Sequence, residues 1–316
     1  MNNNDGNLFL TRPRNQSSEN TALILEAYSS KDIAGVNIAK QVMKNFPFSE
    51  TDDVFQEKPV YSAEINGKQL LLVTLKEETV YAQNLPEHFA NIELIVFLSR
   101  HSSQSGTPTL SVHTPGNFAE AELGGLPRTV SVCPAAAMRD ALKALAQYRT
   151  EMKLDYEVSY ECTHHGPSLN VPTMFVELGS SPQQWSDTKA AEAVAKAAMQ
   201  AIVKLDNSEH QAAIGIGGTH YNHHFTKMAL NNEALFSHMI PKYALQHVNT
   251  ETLQQCVERT KEKVDHAILD WKGITSKDKP KILKTLTELK LPYKKSNNNH
   301  KKQPHYDNNS NVACFI

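Results

Sequence analysis

Hydrophobic positions along the chain follow two patterns that alternate with each other. Short apolar runs, several of them continuous, predict buried strands. These strands are expected at 22–27, 69–75, 92–98, 156–161, 173–178 and 212–216. Apolar positions three or four residues apart predict helices at 33–43, 135–148, 188–204, 250–261 and 279–289. This alternation predicts an α/β fold with a mixed, mostly parallel central sheet and helices on both faces.

Polar side chains mark the starts of two of these helices. Ser186 or Asp187 precedes the third helix, and Asn249 or Thr250 precedes the fourth. Their short side chains accept hydrogen bonds from the N–H groups that the first helical turn leaves without a partner. We therefore expect an N-cap at each of these positions.

Both ends of the chain lack the alternating pattern. Residues 1–20 and 293–316 are rich in Asn, Ser, Gln, Lys and His, and their apolar surface is too small to offset the entropy of ordering the chain. We therefore expect one α/β domain over 21–292, with a disordered tail before it and a low-complexity tail after it.

Composition narrows the class of protein further. The chain has 316 residues, of which 40% are hydrophobic, and it contains no apolar stretch of the roughly 18 residues that a membrane span needs. Its polar first residues do not resemble a signal peptide, and its four cysteines form no C-x-x-C pair. These features predict a cytoplasmic protein with free thiols and no contact with membranes.

Positive charge is concentrated near the end of the chain. Residues 272–302 contain ten lysines and only two acidic residues, Asp278 and Glu288, although the whole chain has a net charge of −2. A lysine-rich helix and tail can attract a polyanion, and they can also form an ordinary solvated surface. The charge pattern alone does not decide between these interpretations.

Histidines follow three of the six predicted strands. His101 comes after the strand at 92–98, His164 after 156–161 and His220 after 212–216. Ligands bind at the carboxyl ends of parallel strands, where side chains from different strands meet. If the three strands belong to one sheet and run parallel, the three histidines share a pocket.

The segment 161–167 carries most of the candidate chemistry. Strand alternation predicts Glu161, Thr163 and His165 on one side, with Cys162 and His164 on the other. A carboxylate beside an imidazole can orient a general base, and two adjacent imidazoles can divide the work between proton acceptor and metal ligand. The alternative is that the two histidines simply close a strand at the surface. Cys162 is expected to be a buried packing thiol.

Two further segments are dense in polar groups. The glycines at 215–218 allow backbone N–H groups to approach a phosphate or an oxyanion, but their spacing matches neither a dinucleotide-binding motif nor a P-loop. Residues 99–117 are expected to form a polar loop at the rim of the site. Folded together, His101, His113, His164 and His220 are candidate zinc ligands.

Five stretches resemble the archaeal and plant-type D-aminoacyl-tRNA deacylase family. They are Ser99-Arg100-His101 through Asn117, Thr163-His164-His165-Gly166-Pro167, 176–181, Gly217-Gly218-Thr219-His220-Tyr221 and 238–244. The resemblance spans roughly residues 20–290. It implies a monomeric, zinc-associated enzyme whose fold is similar to peptidyl-tRNA hydrolase and nucleoside phosphorylases. The implied reaction is hydrolysis of the ester between a D-amino acid and its tRNA.

For this reaction we assign expected roles to residues of this chain. His164 or His165 is the expected general base, oriented by Glu161, while His220 faces the developing oxyanion. The partner is a tRNA carrying a D-amino acid, not DNA. Substrate contacts are expected from Ser99, Arg100, Thr163, Gly179, Ser180, Gly217, Gly218, Thr219 and Tyr221.

Two other functions compete with this interpretation. A metal-dependent amidase or nucleoside hydrolase would act on small substrates without RNA. A non-enzymatic RNA-binding protein would bind RNA without turnover, and it would leave the placement of the histidines unexplained.

Overall fold

The computed structural model describes residues 22–205 and 208–296. Its strands are β1 Leu23–Ser29, β2 Ser49–Phe55, β3 Lys58–Ile65, β4 Lys68–Leu75, β5 Ile92–Arg100, β6 Thr109–His113, β7 Glu157–Tyr160, β8 Thr173–Gly179, β9 Gln211–Ile216, β10 Phe236–Ile240, β11 Lys263–Asp270 and β12 Tyr293–Ser296. Its α-helices are α1 Ile33–Asn45, α2 Ala135–Glu151, α3 Pro182–Trp185, α4 Thr188–Lys204, α5 His223–Leu230, α6 Thr250–Glu258 and α7 Lys279–Glu288. None of the helices described here is long and apolar enough to cross a membrane.

The larger of two sheets has eight strands in the order β2-β3-β4-β1-β5-β8-β6-β7. Strands β4, β1, β5 and β8 are parallel neighbours, so their carboxyl ends lie at one edge. Strand β6 runs antiparallel to β8 and parallel to β7. The predicted α/β class with a mixed, mostly parallel sheet is confirmed.

The smaller sheet consists of four parallel strands in the order β10-β9-β11-β12. It joins the larger sheet just beyond β7, where the Cys162 N–H donates to the His220 carbonyl over 2.9 Å and the Thr163 N–H donates to the Met239 carbonyl over 2.9 Å. The premise that the three histidines follow parallel strands of one sheet is therefore wrong. Strand β9 belongs to the smaller sheet, and β7 runs antiparallel to β5.

Helices that pack through alanine-rich surfaces cover one face of the larger sheet. Helix α4 packs against both α1 and α2, and its buried face consists largely of alanines, whose small side chains allow a close approach. The opposite face carries a second apolar cluster beneath the 3-10 helices Thr79–Tyr81 and Leu85–His88. Within that cluster the rings of Phe97 and Phe175 stack with their centroids 4.7 Å apart.

All six predicted strands and all five predicted helices are present. The N-cap side chains are Asp187 for α4 and Asn249 for α6, both among the predicted candidates. Helix α6 ends at Glu258, three residues before the predicted end. Strand and helix positions therefore follow from hydrophobic periodicity to within a few residues.

Two segments differ from the sequence-based predictions. Residues 109–113, predicted to lie in a loop, form β6, a buried strand between β7 and β8. Residues 293–296, assigned to the C-terminal tail, form β12 and pair with β11. The rest of that tail and residues 1–20 lie outside the described residues. Strand β12 was missed because its two lysines, Lys294 and Lys295, gave the segment a tail-like composition.

Candidate active site

Glu161 occupies the centre of a buried cluster of histidines. It follows β7 immediately, and a bridge to Tyr221 fixes its backbone. Its Oε1 lies 3.0 Å from Nδ1 of His101, and its Oε2 lies 2.8 Å from Nε2 of His220 and 3.6 Å from Nε2 of His164. The predicted convergence of the three histidines is thus confirmed, although the strands that carry them belong to two sheets.

The pairing of Glu161 with His101 determines their charges. Burial alone would raise the pKa of Glu161, but His101 and His220 hold that pKa well below its usual range. Burial alone would lower the pKa of His101, but the carboxylate of Glu161 holds it well above its usual range. The pair is therefore an imidazolium–carboxylate ion pair shielded from water.

His164 and His165 turn into the same space, contrary to the predicted alternation. Strand β7 ends at Tyr160, and His165 has a left-handed backbone with φ of 43°. The Nδ1–H of His164 donates to the carbonyl of Cys162 over 2.8 Å, and the Nδ1–H of His165 donates to the carbonyl of Gly166 over 2.7 Å. Backbone carbonyls therefore orient both rings, and each ring keeps its Nε2 as the acceptor.

Burial keeps these two imidazoles neutral. It lowers the pKa of His164 well below its usual range and that of His165 to about 4. A neutral ring whose Nδ1 carries the hydrogen presents a lone pair on Nε2. That lone pair can accept a proton from water or bind a metal ion.

His113 and Glu177 complete the cluster. His113 ends β6, and its Nε2 lies 3.2 Å from Nε2 of His165. Glu177 projects from β8 and places its Oε2 3.6 Å from Nδ1 of His101 and 4.0 Å from Nδ1 of His113. Burial raises the pKa of Glu177 to about 7. The prediction of site residues missed Glu177, although a single carboxylate inside an apolar strand was a signal for it.

The turn after β9 brings His220 to Glu161. Gly217 and Gly218 have φ of 105° and 84°, which residues with a side chain rarely adopt. The Gly217 N–H donates to the Ile240 carbonyl over 2.8 Å, so it is engaged within the small sheet and does not face an anion. These glycines therefore shape the turn that carries His220.

Both ring nitrogens of His220 are engaged by the protein. Its Nε2 contacts Glu161, and its Nδ1 lies 3.3 Å from the hydroxyl of Tyr243 and 3.5 Å from Sγ of Cys162. Cys162 itself is buried, as predicted for a packing thiol. The sequence analysis did not single out Tyr243, although it lies within the 238–244 stretch of the family resemblance.

Tyr221 connects His101 to β8. Its hydroxyl lies 2.5 Å from Nε2 of His101 and 3.4 Å from Oγ of Ser180. A Cβ atom on Gly179 would approach Cβ of His101 to 2.7 Å, so only glycine allows this approach of β8. Gly179, Ser180 and Tyr221 thus support His101.

A cleft reaches this cluster from the carboxyl edge of β5. Ser99, Arg100, His101, His164 and His165 line it together with Glu177. The guanidinium of Arg100 contacts Glu78 at 3.3 Å at the mouth of the cleft. Ser99 and Arg100 therefore lie where substrate contacts were predicted.

The hydroxyls of two residues predicted to contact the substrate, Thr163 and Thr219, have hydrogen-bond partners within the protein. The hydroxyl of Thr163 is buried, where it lies 3.2 Å from Nδ1 of His238 and accepts from the Met239 N–H. The hydroxyl of Thr219 donates to the Tyr221 carbonyl over 2.7 Å. The Thr163 hydroxyl thus joins the segment after β7 to β10, and the Thr219 hydroxyl fixes the turn after β9.

Metal-ligating atoms form overlapping groups within the described residues. One group is His113, His164 and His165, another is His101, Glu161 and His220, a third is Cys162, His164 and His220, and a fourth is His113, Glu161 and Glu177. His101 and His113 share none of these groups. The structure therefore divides the predicted ligand set of His101, His113, His164 and His220 between different groups.

The group of His113, His164 and His165 fits zinc best. Zn–N bonds of about 2.0–2.1 Å in a tetrahedral site place two nitrogens about 3.3 Å apart. The Nε2 atoms of His113 and His165 are separated by 3.2 Å. Zinc-binding histidines usually donate their other N–H to a carbonyl or a carboxylate, as His164 and His165 do here.

The histidine–carboxylate cluster lies where the two sheets of this α/β fold meet. Such a cluster is an acid–base centre of the kind that hydrolytic enzymes use. The family model described as D-aminoacyl-tRNA deacylase matches residues 88–294, a range that contains every side chain of this cluster. The chain belongs to the D-aminoacyl-tRNA deacylase family, which confirms the resemblance seen in its sequence.

Individual relatives match along most of their length. The D-aminoacyl-tRNA deacylase of Thermococcus onnurineus is 38% identical over 268 residues, which cover 83% of this chain and 96% of the relative. That of Methanocaldococcus jannaschii is 35% identical over 265 residues, which cover 81% and 92%. A crystal structure of a conserved protein of unknown function aligns with a TM-score of 0.77 and 30% identity, covering 87% of this chain and 95% of that one.

Proposed function

We propose that this protein hydrolyses the ester between a D-amino acid and its tRNA, which releases both. The observation that carries the proposal is the neutral His164, which lines the cleft and whose Nε2 lies 3.6 Å from the buried carboxylate of Glu161. The similarity to D-aminoacyl-tRNA deacylases across nearly their whole length supports the same reaction.

An aminoacyl ester is already activated, so the protein has to position a water, accept its proton and stabilise an oxyanion. In our proposal, Nε2 of His164 accepts the proton as the water oxygen attacks the ester carbonyl. Glu161 stabilises the resulting imidazolium, because its carboxylate is charged and close. Collapse of the tetrahedral intermediate breaks the bond to the ribose oxygen, which takes up the proton.

The oxyanion contact that was predicted for His220 is reassigned in this proposal. Both nitrogens of His220 already face protein atoms, so its role is to hold Glu161 in place. Arg100 lines the cleft, and its guanidinium contacts Glu78 on one side. We propose that its permanent positive charge also stabilises the developing oxyanion.

Zinc is the cofactor that we propose for the same cleft, held by His113, His164 and His165. When bound, it would supply Lewis-acid polarisation at this point of the cleft. The lone pair of His164 cannot bind zinc and accept a proton in the same state. The two versions of the chemistry therefore make different predictions for zinc stoichiometry and for the effect of chelation.

The tRNA is proposed to approach from the smaller sheet. Trp271 follows β11, and its ring centroid lies 4.6 Å from Nζ of Lys279 and 4.0 Å from Nζ of Lys295. This basic patch lies at the carboxyl edge of the parallel strands β9, β11 and β12, the edge from which the turn to His220 also leaves. Lysines at this position can contact phosphates of the acceptor stem.

The amino end of α4 is not part of this proposed RNA surface. The carboxylate of Asp187 accepts from the N–H groups of Lys189 and Ala190 at 2.9 and 3.0 Å. An anion of the protein itself therefore already occupies the position that a phosphate would need.

We further propose that the protein works as a monomer in the cytoplasm, where aminoacylated tRNA is present.

A paired hydrolysis assay tests the proposed function. Purified protein is mixed with D-tyrosyl-tRNA or L-tyrosyl-tRNA under conditions in which the spontaneous loss of each ester is measured separately. We expect release of D-tyrosine well above the spontaneous rate, with the L-ester left near it. Equal rates on both esters, or turnover of small amides alone, would contradict the proposal.

A further inference from the structure

A second cavity adjoins the catalytic cleft and has no role in the chemistry described above. Its volume is about 250 Å³, and it lies at the carboxyl end of β4 beside the two 3-10 helices. Its apolar wall is formed by Leu75, Ala82 and Leu85, and the half-exposed ring of Tyr81 forms one side. The remaining lining is polar, from Gln56, Glu77, Glu78, Asn84 and His88, so the cavity is a preformed pocket with an apolar and aromatic wall on one side.

The cavity and the cleft are neighbours along one edge of the sheet. Glu78 lines both spaces, and its carboxylate contacts Arg100 of the cleft. Strands β4, β1 and β5 are parallel neighbours, so the chain segments after β4 and β5 leave the sheet on the same side. A substrate whose ester lies at the catalytic histidines can thus extend one of its groups into the cavity.

Charge indicates which group of the substrate fits. The cavity is lined by no lysine or arginine, and its two carboxylates are paired with cations outside the lining, Glu77 with Lys31 at 2.7 Å and Glu78 with Arg100 at 3.3 Å. Its wall therefore offers no positive charge to the phosphates of RNA, whereas the lysines around Trp271 attract them. In strand order the cavity lies toward β4, and the smaller sheet that carries Trp271 joins beyond β7, with the catalytic cluster between them. The RNA and the amino acid are therefore expected on opposite sides of that cluster.

We propose that this cavity receives the side chain of the amino acid esterified to tRNA. The inference rests on the proposed function, because it assumes an aminoacyl ester at the catalytic histidines. An engineered apolar cavity of about 150 Å³ accommodates benzene, so 250 Å³ is sufficient for an aromatic side chain. The volume of the pocket, rather than the chemistry at the ester, then sets the preference among D-amino acids.

Filling the pocket tests this assignment. Ala82→Trp places an indole in the cavity, and the variant is compared with the unaltered protein on D-tyrosyl-tRNA and D-alanyl-tRNA. We expect kcat/KM for D-tyrosyl-tRNA to fall about 10–200-fold, because the ring no longer fits, while kcat/KM for D-alanyl-tRNA changes less than about threefold. A fall of equal size on both esters, or no fall on either, would overturn the assignment.

Two further variants keep the test informative if Ala82→Trp does not fold. Tyr81→Ala alters only an exposed ring, and the loss of an aromatic contact should lower kcat/KM for D-tyrosyl-tRNA about 2–10-fold more than for D-alanyl-tRNA. Val54→Trp adds the same bulk at an exposed position of β2 outside the pocket and should leave both rates unchanged. Failure of the proposed function would look different, because the unaltered protein would then hydrolyse neither ester.

Discussion

Two fully buried glutamates of the larger sheet show how surroundings control a carboxyl group. Glu161 lies among His101, His164 and His220, and these partners hold its pKa well below its usual range. Glu26 lies in the middle of β1 beside Leu72 and Val96, and neither of its oxygens has a hydrogen-bond partner in the described part of the chain. Burial raises the pKa of Glu26 to about 8.

The difference between the two sites lies in their partners, because both side chains are equally buried. An imidazolium at 3.0 Å replaces the hydration that Glu161 loses, so this carboxyl group stays charged and can act on neighbouring groups. Glu26 finds no such replacement and keeps its proton. The comparison predicts that Glu161 takes part in catalysis and that Glu26 only lowers the free energy of unfolding.

The largest effect in this comparison is expected at His164, the histidine between Glu161 and the cleft. His164→Ala removes a proton acceptor, which typically slows a reaction about 10²–10⁴-fold. The fold should tolerate the change, since β7 has already ended at Tyr160. Single-turnover hydrolysis of D-tyrosyl-tRNA measures the rate, and thermal melting provides the control. A well-folded variant with a normal rate would move the chemistry to another residue.

A second expected effect concerns which histidines hold zinc. In protein stripped by a chelator, His165→Ala should weaken zinc binding more than 100-fold. Loss of a residue that only hydrogen-bonds to a metal ligand typically costs about 10–100-fold. His220→Ala should retain zinc affinity, because His220 lies outside the group of His113, His164 and His165. Zinc titration by calorimetry measures both. Stronger loss in the His220 variant would favour the group that pairs His220 with Glu161.

Ionisation of Glu26 should make the free energy of unfolding depend on pH. The pKa of this carboxyl group rises from its ordinary value of 4.5 to about 8 in the folded protein. Between these two pH values the folded state keeps a proton that the unfolded state releases. The free energy of unfolding should therefore fall by about 1.4 kcal/mol per pH unit across this window, which amounts to about 3 kcal/mol at pH 7.

Glu26→Gln removes this titration and tests the sign of the effect. In urea unfolding, the variant should be more stable than the unaltered protein at pH 7.5, and the gain should shrink toward zero near pH 5. Hydrolysis of D-tyrosyl-tRNA should not change, because Glu26 does not line the cleft. A gain of the same size at both pH values would show that ionisation of Glu26 is not the cause.

The smallest effect is expected from removing residues 297–316. The cut follows β12 rather than residue 292, because 293–296 pair with β11 in the smaller sheet. Lys301 and Lys302 are lost, so affinity for tRNA should fall modestly and less at high salt, while the single-turnover rate at saturating tRNA stays the same. A large drop in that rate would place part of the tail in the chemistry.

Hydrophobic periodicity predicted the strands whose apolar runs are continuous, such as β5 and β8. It missed β6, because Thr109, Ser111 and His113 made a buried strand look like a loop. The histidines after β5, β7 and β9 were predicted to meet, and they do. Which residues meet depends, however, on the register in which the two sheets join. A single sequence does not reveal that register. Glu177 was not predicted, because it lies inside β8 and the predicted site residues follow the ends of strands.

The central claim is that Glu161 supports deacylation through its charge, and one comparison tests it most directly. The single-turnover rate of D-tyrosyl-tRNA hydrolysis is measured for Glu161→Gln and Glu26→Gln, after melting curves confirm that both variants fold. The account predicts a rate about 10²–10⁴-fold lower for Glu161→Gln and an unchanged rate for Glu26→Gln. Equal rates for both variants would contradict it.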